Sequence, residues 1–429
     1  MDYNFSNENG RPTNSPERNS RFGQGLLLGI LIGLVFTLCA SIAFVAIYTR
    51  NNGYLLIGEN GAEKVEKNRV LDDDTAEKIQ EVTSFIDLYY NGEVKDEDLR
   101  NSMVKGMVEG LGDPYSVYYS PEEYKELQVS TTGTYYGIGA GLNQDTKTMK
   151  VTITKIYKGT PSEEAGLKKD DIILYVDDID ATSMELNSLV QKIRGEEGTS
   201  VHIKVYRPST KENLEFDVER RNVELPSIES QMLDNKIGYI QISEFQKNTA
   251  DQFNKAFKEL QDKGMKSLIV DVRDNPGGLL SGVAEILDTI LPEGLTVYTE
   301  DKYGKRDEYK SDASCIDLPM VVLVNGNSAS ASEIFAGAIK DYKYGTLIGT
   351  KTFGKGIVQT IFPLSDSDAV KVTTAKYFTP KGNFIHGVGI SPDIELEYEY
   401  SGDKNKSYEM KYDNQLQKAI EVLNDKMGN

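Results

Sequence analysis

A serine and a lysine stand late in the chain in similar settings, each close to glycine and to an apolar strand pattern. The segment "MVVLVNGNSASASEIFAGAIKDY" reads as a strand, a tight turn and a helix that begins near Ser330. The first turn of a helix offers free amides and the positive end of the helix dipole, which suits a nucleophile whose attack creates an oxyanion. Ser330 is therefore a candidate nucleophile. Its S-x-x-E spacing to Glu333 also fits a capping box, worth about 1 kcal/mol, which on its own would explain the serine.

Lys355 lies between two glycines in "GTLIGTKTFGKGIVQ", with Phe353 and Ile357 beside them. To act as a base near pH 7, a lysine needs its pKa lowered by about 3 from about 10.4, which corresponds to about 4 kcal/mol. Burial among apolar groups can supply this for a lysine, whereas an arginine stays charged. Gln359, four residues on, is placed to hold the amine in line. The two segments together predict a serine nucleophile activated by a lysine base.

The composition limits the partners of the protein. The chain has 429 residues, 39% of them hydrophobic, which is enough for two or three cores of ordinary size. Its formal net charge of -19 repels polyanions, so we expect no binding to nucleic acid. The two cysteines, Cys39 and Cys315, form no disulfide framework, and this leaves the compartment open.

An uncharged apolar run extends from Gly25 to Tyr48. At about 1.5 Å per residue, it spans the roughly 30 Å hydrocarbon layer of a bilayer with some tilt. We expect a transmembrane helix over 25–48, a disordered cytoplasmic tail over 1–24 and a polar linker over 49–74. The arginines before the run favour a single-pass protein of the cell membrane whose later domains lie outside the cytoplasm. A cleaved signal peptide is the alternative, although such peptides have a shorter apolar region.

Two further regions differ in their hydrophobic period. Between 75 and 127, apolar residues recur at helical spacing, which predicts an N-terminal helical segment that packs on later domains and carries no chemistry. Between 128 and 221, "KVTITKIY", "DIILYV" and "SVHIKVY" alternate as strands do, and one helix with an apolar side interrupts them.

The second of these regions resembles a PDZ domain, through "YYGIGAGL", "GTPSEEAGLKKDDIILYVDDID" and the helix followed by "IRGEEGT". The resemblance implies a groove for a polypeptide C-terminus, in which successive amides bind the carboxylate and the peptide adds to a neighbouring strand. Ordinary core positions are the alternative for the leucines of this groove. The residues expected to form it are Gly137, Ile138, Gly139, Ala140, Gly141, Leu142, Leu186, Leu189 and Ile193.

From Val223 onward, strand and helix patterns alternate, which predicts an α/β layer with buried parallel strands. The continuous apolar runs "LIVDVR" and "MVVLVN" are typical of strands that are covered on both faces. We predict a catalytic α/β core over 222–400 and a C-terminal helical tail over 401–429. The tail repeats Leu416, Ile420 and Leu423 at helical spacing and packs either on the core or on a second subunit.

Five segments resemble the carboxyl-terminal processing peptidases, also called tail-specific proteases, of the membrane-anchored bacterial type. They are "GLGDPYSVYYSPEEY", "DVRDNPGG", "NSASASEIFAGAIKDY", "TFGKGIVQ" and "FIHGVGISPDIEL". They occur in that family's order around a PDZ domain, over residues 75–400. The resemblance implies a ClpP/crotonase-like catalytic core with an inserted PDZ domain, and a serine peptidase that needs neither a metal nor another cofactor.

Carried onto this chain, the family pattern makes Ser330 the nucleophile, Lys355 the general base and Gln359 the residue that orients the lysine. It places the oxyanion hole at the backbone amides of Ala331 and Gly277, with Gly278 as the alternative. These positions imply attack on a peptide carbonyl, an acyl-enzyme, and its release by water. Neither His202 nor His386 fits a histidine-based triad.

The resemblance further implies protein or peptide substrates with free, apolar C-termini, which the PDZ domain selects. Movement of that domain over the active site is a possible control, with Arg194 as a candidate contact or, alternatively, a solvated surface charge. A homodimer is possible. Two rival functions remain: an inactive membrane-anchored module that binds peptides through its PDZ domain, and a crotonase-type enzyme acting on CoA thioesters, which needs neither the Ser/Lys pair nor a PDZ domain.

Overall fold

The computed structural model describes residues 55–58, 61–64, 70–403 and 406–428. The predicted cytoplasmic tail, the predicted transmembrane helix and part of the predicted linker lie outside these ranges. Within them, no helix is both long and apolar enough to cross a membrane. The chain divides into two compact units, Met1–Lys95 and Asp96–Asn429.

The described part of the first unit consists of a hairpin and a helix. Strands β1 (Leu55–Gly58) and β2 (Gly61–Lys64) pair antiparallel within the stretch that was expected to be a linker. Helix α1 (Asp73–Tyr89) follows, and the Asp72 carboxylate caps it by accepting the Thr75 amide at 2.9 Å. The helical periodicity that the sequence shows here is confirmed.

The second unit begins with α2 (Asp96–Glu109), β3 (Val117–Tyr119) and α3 (Pro121–Thr132). A reciprocal capping box starts α3, because Ser120 and Glu123 each accept the other's backbone amide with a side-chain oxygen. The short strand β3 pairs with a strand of the catalytic core. The loop between α2 and β3 is thereby brought to the core sheet, which the helical periodicity alone does not predict.

The region that resembles a PDZ domain forms a small sheet with its own core. Along one strand, Val201, Ile203 and Val205 point inward, and the series ends in Arg207, which forms a bidentate pair with the buried Asp171 at 2.7 and 2.8 Å. The strand order is β10-β9-β7-β6-β5, with β8 on β7, while β11 pairs with β4. The elements are β4 (Thr134–Gly137), β5 (Ala140–Gln144), β6 (Val151–Ile156), α4 (Pro161–Ala165), β7 (Ile172–Val176), β8 (Ile179–Asp180), α5 (Leu186–Ile193), β9 (Ser200–Arg207), β10 (Glu212–Glu219) and β11 (Arg221–Glu224).

The rest of the second unit contains the α/β layer predicted from the alternating patterns. Its six strands are ordered β12-β13-β14-β17-β18-β21, and all of them are parallel to their neighbours except β12. The elements are β12 (Ile228–Met232), β13 (Ile237–Ile242), α6 (Thr249–Asp262), β14 (Ser267–Asp271), α7 (Leu280–Ile290), β15 (Gly294–Asp301), β16 (Arg306–Ser311), β17 (Met320–Val324), α8 (Ala331–Tyr342), β18 (Thr346–Gly349), β19 (Ile357–Pro363), β20 (Ala369–Phe378), β21 (Ile394–Glu395) and α9 (Asn414–Met427).

Both faces of this sheet are covered, which explains the continuous apolar runs. Every residue of β14 and of β17 is buried. Val270 and Val322 pack toward α6, α7 and α8, while Ile269 and Val321 pack toward α9 on the opposite face. The C-terminal helix therefore lies on the core through Leu416, Ala419 and Leu423, one of the two placements that the sequence left open.

The alternating patterns did not predict a second, antiparallel sheet. Its order is β16-β15-β20-β19, and β3 joins β20 at the side. The segment that carries Lys355 connects β18 of the parallel sheet to β19 of the antiparallel one. The candidate base thus lies where the chain crosses from one sheet to the other, close to the helix that begins after Ser330.

Candidate active site

Ser330 lies at the start of α8, after the turn that follows β17. Its backbone has φ 54° and ψ -114°, a conformation that costs energy for a residue with a side chain. Two bonds fix the turn to the loop after β14: the Ser328 hydroxyl donates to the Val272 carbonyl at 2.7 Å, and the Ala329 amide to the Asn275 carbonyl at 3.0 Å. The half-buried Ser330 is thus held in a strained turn at the start of a helix.

The neighbouring loop contains the two candidate oxyanion glycines, both with positive φ. A methyl group at Gly277 would lie 2.7 Å from Ser330 Cβ, so only glycine lets these segments approach so closely. The Gly277 amide donates to Asn275 Oδ1 at 2.8 Å. The amides of Gly278 and Ala331 have no acceptor among the residues that the structure describes. These two amides are therefore free to bind an oxyanion.

A buried ion network fixes the start of this loop. Arg273 donates to Asp271 at 2.6 Å and to Asp413, just before α9, at 2.9 Å. Tyr239 on β13 donates its hydroxyl proton to the same Asp271 at 2.8 Å. Because the network joins the C-terminal segment to the end of β14, it holds the loop that leads to the two glycines.

One carboxylate joins the segments of the two candidate catalytic residues. Glu333 is fully buried, and one of its oxygens accepts the amides of Ser330 at 3.0 Å and Lys355 at 2.8 Å. The other oxygen accepts the Thr352 hydroxyl at 2.6 Å and the Gly354 amide at 2.7 Å. Four donors satisfy the buried charge. The glutamate of the predicted capping box therefore also anchors the loop of Lys355, which the sequence spacing did not indicate.

A tyrosine joins the same two residues from the carbonyl side. Tyr377 on β20 is 1% exposed, and its hydroxyl donates to the Ser330 carbonyl at 3.0 Å and to the Lys355 carbonyl. Burial, together with the nearby charge of Glu333, raises the pKa of Tyr377 well above its usual value, so the hydroxyl keeps its proton. The peptide groups of Ser330 and Lys355 are thus held through both their amides and their carbonyls.

The side chain of Lys355 lies over an aromatic ring. Its Nζ is 4.8 Å from the centre of the Tyr115 ring, in the loop before β3. Burial lowers the pKa of Lys355, and the positive charge of Lys371 lowers it further, while the carboxylates of Asp113 and Glu333 oppose this shift. The direction is the one that a lysine base needs. The segment predicted to carry no chemistry therefore supplies the ring beneath the candidate base.

The candidate catalytic residues Ser330 and Lys355 are joined through their backbones, and their side chains are not hydrogen-bonded to each other among the described residues. Among the described residues, no hydrogen bond joins the Ser330 hydroxyl to Lys355 Nζ, or Lys355 to Gln359. The Gln359 carboxamide donates to the Thr373 hydroxyl at 3.2 Å. The Lys355 amine lies instead over the Tyr115 ring, and the roles of the three residues stay predictions.

The two histidines occupy different settings. His202 lies on β9 and pairs with Asp217 at 2.8 Å on the exposed face of the small sheet. His386 accepts the Gly356 amide with Nδ1 at 3.3 Å and lies edge-on to Tyr115. Its ring therefore packs beside the loop of Lys355 and supports that loop.

The small sheet carries a groove of 370 Å³ between β5 and α5. Of the residues predicted to form it, Ile138, Ala140, Leu142, Leu186 and Ile193 line the groove. Leu189 instead lies fully buried in the domain core, the alternative considered for the leucines. The three predicted glycines are not among the residues that line the groove: Gly137 ends β4, Gly139 lies in the turn, and Gly141 lies in β5.

The sequence did not indicate Tyr135 as a groove residue, and helical spacing placed Val190 on the apolar side of the helix without assigning it to the groove. Arg194 also lines the groove, with its guanidinium 5.0 Å from the centre of the Tyr135 ring and its Nε buried without a partner among the described residues. Whether Arg194 couples this groove to the active site stays a prediction.

Family models match three parts of the chain. Residues 236–396 match peptidase family S41, residues 152–207 match the PDZ domain, and residues 37–123 match the N-terminal domain of the activating protease CtpB. The class is therefore a peptidase with an S41 core and a PDZ domain.

Two curated relatives narrow the class, and a solved structure that is similar to part of the chain is given after them. The carboxyl-terminal-processing protease of Synechocystis is 36% identical over 314 residues, which are 72% of this chain and 74% of the relative. The carboxy-terminal processing protease CtpB of Bacillus subtilis is 36% identical over 330 residues, 76% of this chain and 68% of the relative. The photosystem II D1 C-terminal processing protease is 30% identical with a TM-score of 0.43, covering 75% of this chain and 88% of that one.

The chain belongs to peptidase family S41, as a serine peptidase of the carboxyl-terminal processing, or tail-specific, type. A Ser/Lys dyad is characteristic of that family. The resemblance found in the sequence is confirmed, and the alternative of an inactive peptide-binding module is not favoured.

Proposed function

We propose that this peptidase cleaves its substrates through Ser330 and Lys355. The observation that carries the assignment is the Glu333 carboxylate, which accepts the backbone amides of both residues and so keeps them adjacent. Neutral Lys355 takes the Ser330 proton as Oγ attacks the scissile carbonyl. The oxyanion forms next to the free amides of Gly278 and Ala331, because the Gly277 amide is already engaged.

The tetrahedral intermediate then collapses. The protonated lysine gives its proton to the leaving amine, and the peptide bond breaks to leave an ester on Ser330. Neutral Lys355 next takes a proton from water, which attacks the ester, and the serine leaves with the proton that the lysine returns. Gln359 serves as an acceptor that orients the amine during both halves of the reaction.

The test uses the described catalytic unit and an unstructured polypeptide with an apolar C-terminus. Ser330→Ala and Lys355→Ala are expected to abolish cleavage while their urea unfolding midpoints stay near that of the unmodified protein. Lys255→Ala, at an exposed lysine of α6, serves as the matched control. Cleavage at an unchanged rate by either catalytic variant would contradict the assignment.

We further propose that the groove between β5 and α5 selects substrates by a free, apolar C-terminus. Its lining is largely apolar, and the glycine-containing turn before β5 supplies amides for a carboxylate. Amidation of the substrate's C-terminus is expected to slow cleavage, with the rate restored for the free acid. Equal rates for the acid and the amide would contradict selection through this groove.

The family layout and the apolar run at 25–48 support a membrane-anchored enzyme with its catalytic domain outside the cytoplasm. Resistance of the full chain to extraction by alkaline carbonate would test the anchor, and release into the wash would contradict it. We also propose a ClpP/crotonase-like core, supported by the layered α/β sheet, and a homodimer. A superposition in which the strand order differs from that of the ClpP/crotonase fold would contradict the first proposal. Sedimentation of the full chain as a monomer would contradict the second.

A further inference from the structure

A small hydrogen-bond ring connects the loop before β3 to the core strand β20. Asp113 Oδ2 accepts the hydroxyl protons of Ser116 at 2.6 Å and of Thr373 at 2.7 Å. The Thr373 amide donates to Ser116 Oγ at 3.1 Å, and the Tyr115 amide to Asp113 Oδ1 at 3.0 Å. The hydrogen-bond ring joins residues about 260 positions apart in the chain. It includes Tyr115, whose aromatic side chain lies beneath Lys355.

The chemistry of this ring fixes the direction of each hydrogen bond. Burial opposes the charge of Asp113, but the three donors and the nearby Lys355 outweigh it, so the pKa of this carboxyl lies below its ordinary value. An ionised carboxylate only accepts, so the single proton of the Thr373 hydroxyl points to Asp113. The Thr373 oxygen is then left as an acceptor.

Gln359 lies directly across from Thr373 in the β19–β20 pair, and the two side chains are 3.2 Å apart. Because the Thr373 oxygen can only accept, the carboxamide must present its NH₂ group to Thr373. Its carbonyl oxygen, Oε1, therefore points away from Thr373 and remains an acceptor. Asp113 thus sets the orientation of an amide that it does not touch.

The orientation of this amide matters for a lysine base. A neutral amine has two N–H donors and one lone pair, and the lone pair must accept the serine proton. An amide oxygen accepts one N–H of the amine and leaves the lone pair free. A flipped amide would present its NH₂ to the amine, occupy the lone pair and block the base.

We propose that Thr373, oriented by Asp113, is a positioning residue that holds the Gln359 carboxamide with Oε1 available to the amine of Lys355. The proposal rests on the function proposed above for Lys355 and Gln359. Nothing in the sequence spacing marks Thr373, since it lies on a strand with alternating polar residues, and the segment of Asp113 was expected to carry no chemistry.

The test is a double-mutant cycle on the full chain with a C-terminally apolar peptide. Thr373→Val is expected to lower kcat about tenfold, the worth of one hydrogen bond, with KM within about twofold. Thr373→Ser, which keeps the hydroxyl, is expected to restore kcat. In the Gln359→Ala background, Thr373→Val is expected to change kcat less than twofold, because the group it positions is gone.

Asp113→Asn supplies a second, independent variant for the case in which Thr373→Val unfolds. The NH₂ group of the new asparagine faces Thr373 and donates to its hydroxyl oxygen. The Thr373 proton then points to Gln359 instead, so the Gln359 carboxamide must turn its Oε1 toward Thr373 and its NH₂ toward Lys355. Removal of the Asp113 charge also lowers the pKa of Lys355, which by charge alone favours the free base. A fall in kcat supports the proposal, whereas an unchanged or higher kcat overturns it.

The outcomes separate this proposal from the proposed function. Two results overturn the positioning role and leave the dyad intact. One is that the effects of Thr373→Val and Gln359→Ala on kcat multiply, and the other is that Thr373→Ser is as slow as Thr373→Val. Activity that survives Ser330→Ala instead overturns the dyad. Urea unfolding midpoints of all variants identify any loss of activity that comes from instability.

Discussion

Replacing Glu333 with glutamine tests whether one buried carboxylate holds the active site together. The wild-type side chain accepts four donors, two on each oxygen, whereas a carboxamide can accept on one side only. In its least costly orientation, the new NH₂ faces Thr352, whose hydroxyl can turn to accept it, and Gly354. The Gly354 amide is then left without an acceptor in a buried site.

The size of the effect follows from these bonds. An orphaned buried amide costs about 1–3 kcal/mol, and the two bonds retained from Ser330 and Lys355 each lose about 1 kcal/mol of charge assistance. We therefore expect Glu333→Gln to lower the free energy of unfolding by about 3–5 kcal/mol. We expect kcat to fall by about 100-fold, because the unpaired Gly354 amide directly precedes Lys355 and a shift of about 1 Å in its loop has that effect.

Urea denaturation in the Ser330→Ala background, which prevents self-cleavage, measures the stability, and peptide cleavage measures kcat. Glu285→Gln, at an exposed glutamate of α7, is the matched control and should change neither. If Glu333 acted only through its charge, the variant would stay active. The rising limb of its kcat/KM against pH would then move to lower pH, because the negative charge of Glu333 raises the pKa of Lys355. That result would refute the anchoring role.

Three further outcomes follow from the same structure. Tyr377→Phe leaves the Lys355 carbonyl without its donor, while the Ser330 carbonyl keeps the amides of Glu333 and Ile334, so the free energy of unfolding should fall by about 1–3 kcal/mol in urea denaturation; no change would count against the bridge. Lys371→Met removes a charge that lowers the pKa of Lys355, so the rising limb of kcat/KM, which needs the neutral amine, should move to higher pH; a limb shifted the other way would reject this coupling. Arg207→Met leaves the Asp171 carboxylate buried without its arginine partner, so the free energy of unfolding should fall by about 3–5 kcal/mol. The assay is the loss of tail-peptide binding on heating. The double variant Arg207→Met/Asp171→Leu is the control, and it should recover the lost stability.

Much of the fold could be predicted from the sequence, because strands that are buried on both faces are continuous runs of apolar residues. The apolar runs of β14 and β17 predicted covered parallel strands, and the spacing of Leu416 and Leu423 predicted the C-terminal helix. The antiparallel sheet was missed, since its strands are partly exposed and carry many polar residues. Side chains such as Thr373 and Lys371 in that sheet therefore resemble ordinary surface residues in the sequence.

Some residues of the candidate site could be predicted from their sequence neighbours, and others could not. Ser330 and Lys355 could be proposed from their immediate neighbours, because turn geometry and apolar flanks are local properties. The contribution of Tyr115 and Asp113 could not, since the fold brings them to Lys355 from more than 200 positions away in the chain. Glu333 was noticed only as a helix cap, because spacing within a helix says nothing about a loop that arrives from another sheet.

The carboxylate that ties the peptide groups of Ser330 and Lys355 leaves the lysine side chain as the adjustable part of the machinery. The amine of Lys355 is placed by a different contact, the Tyr115 ring, which the loop before β3 brings to it. Substitutions can therefore act on the two parts separately, because a change at Tyr115 removes the support of the amine and a change at Glu333 removes the support of the backbone.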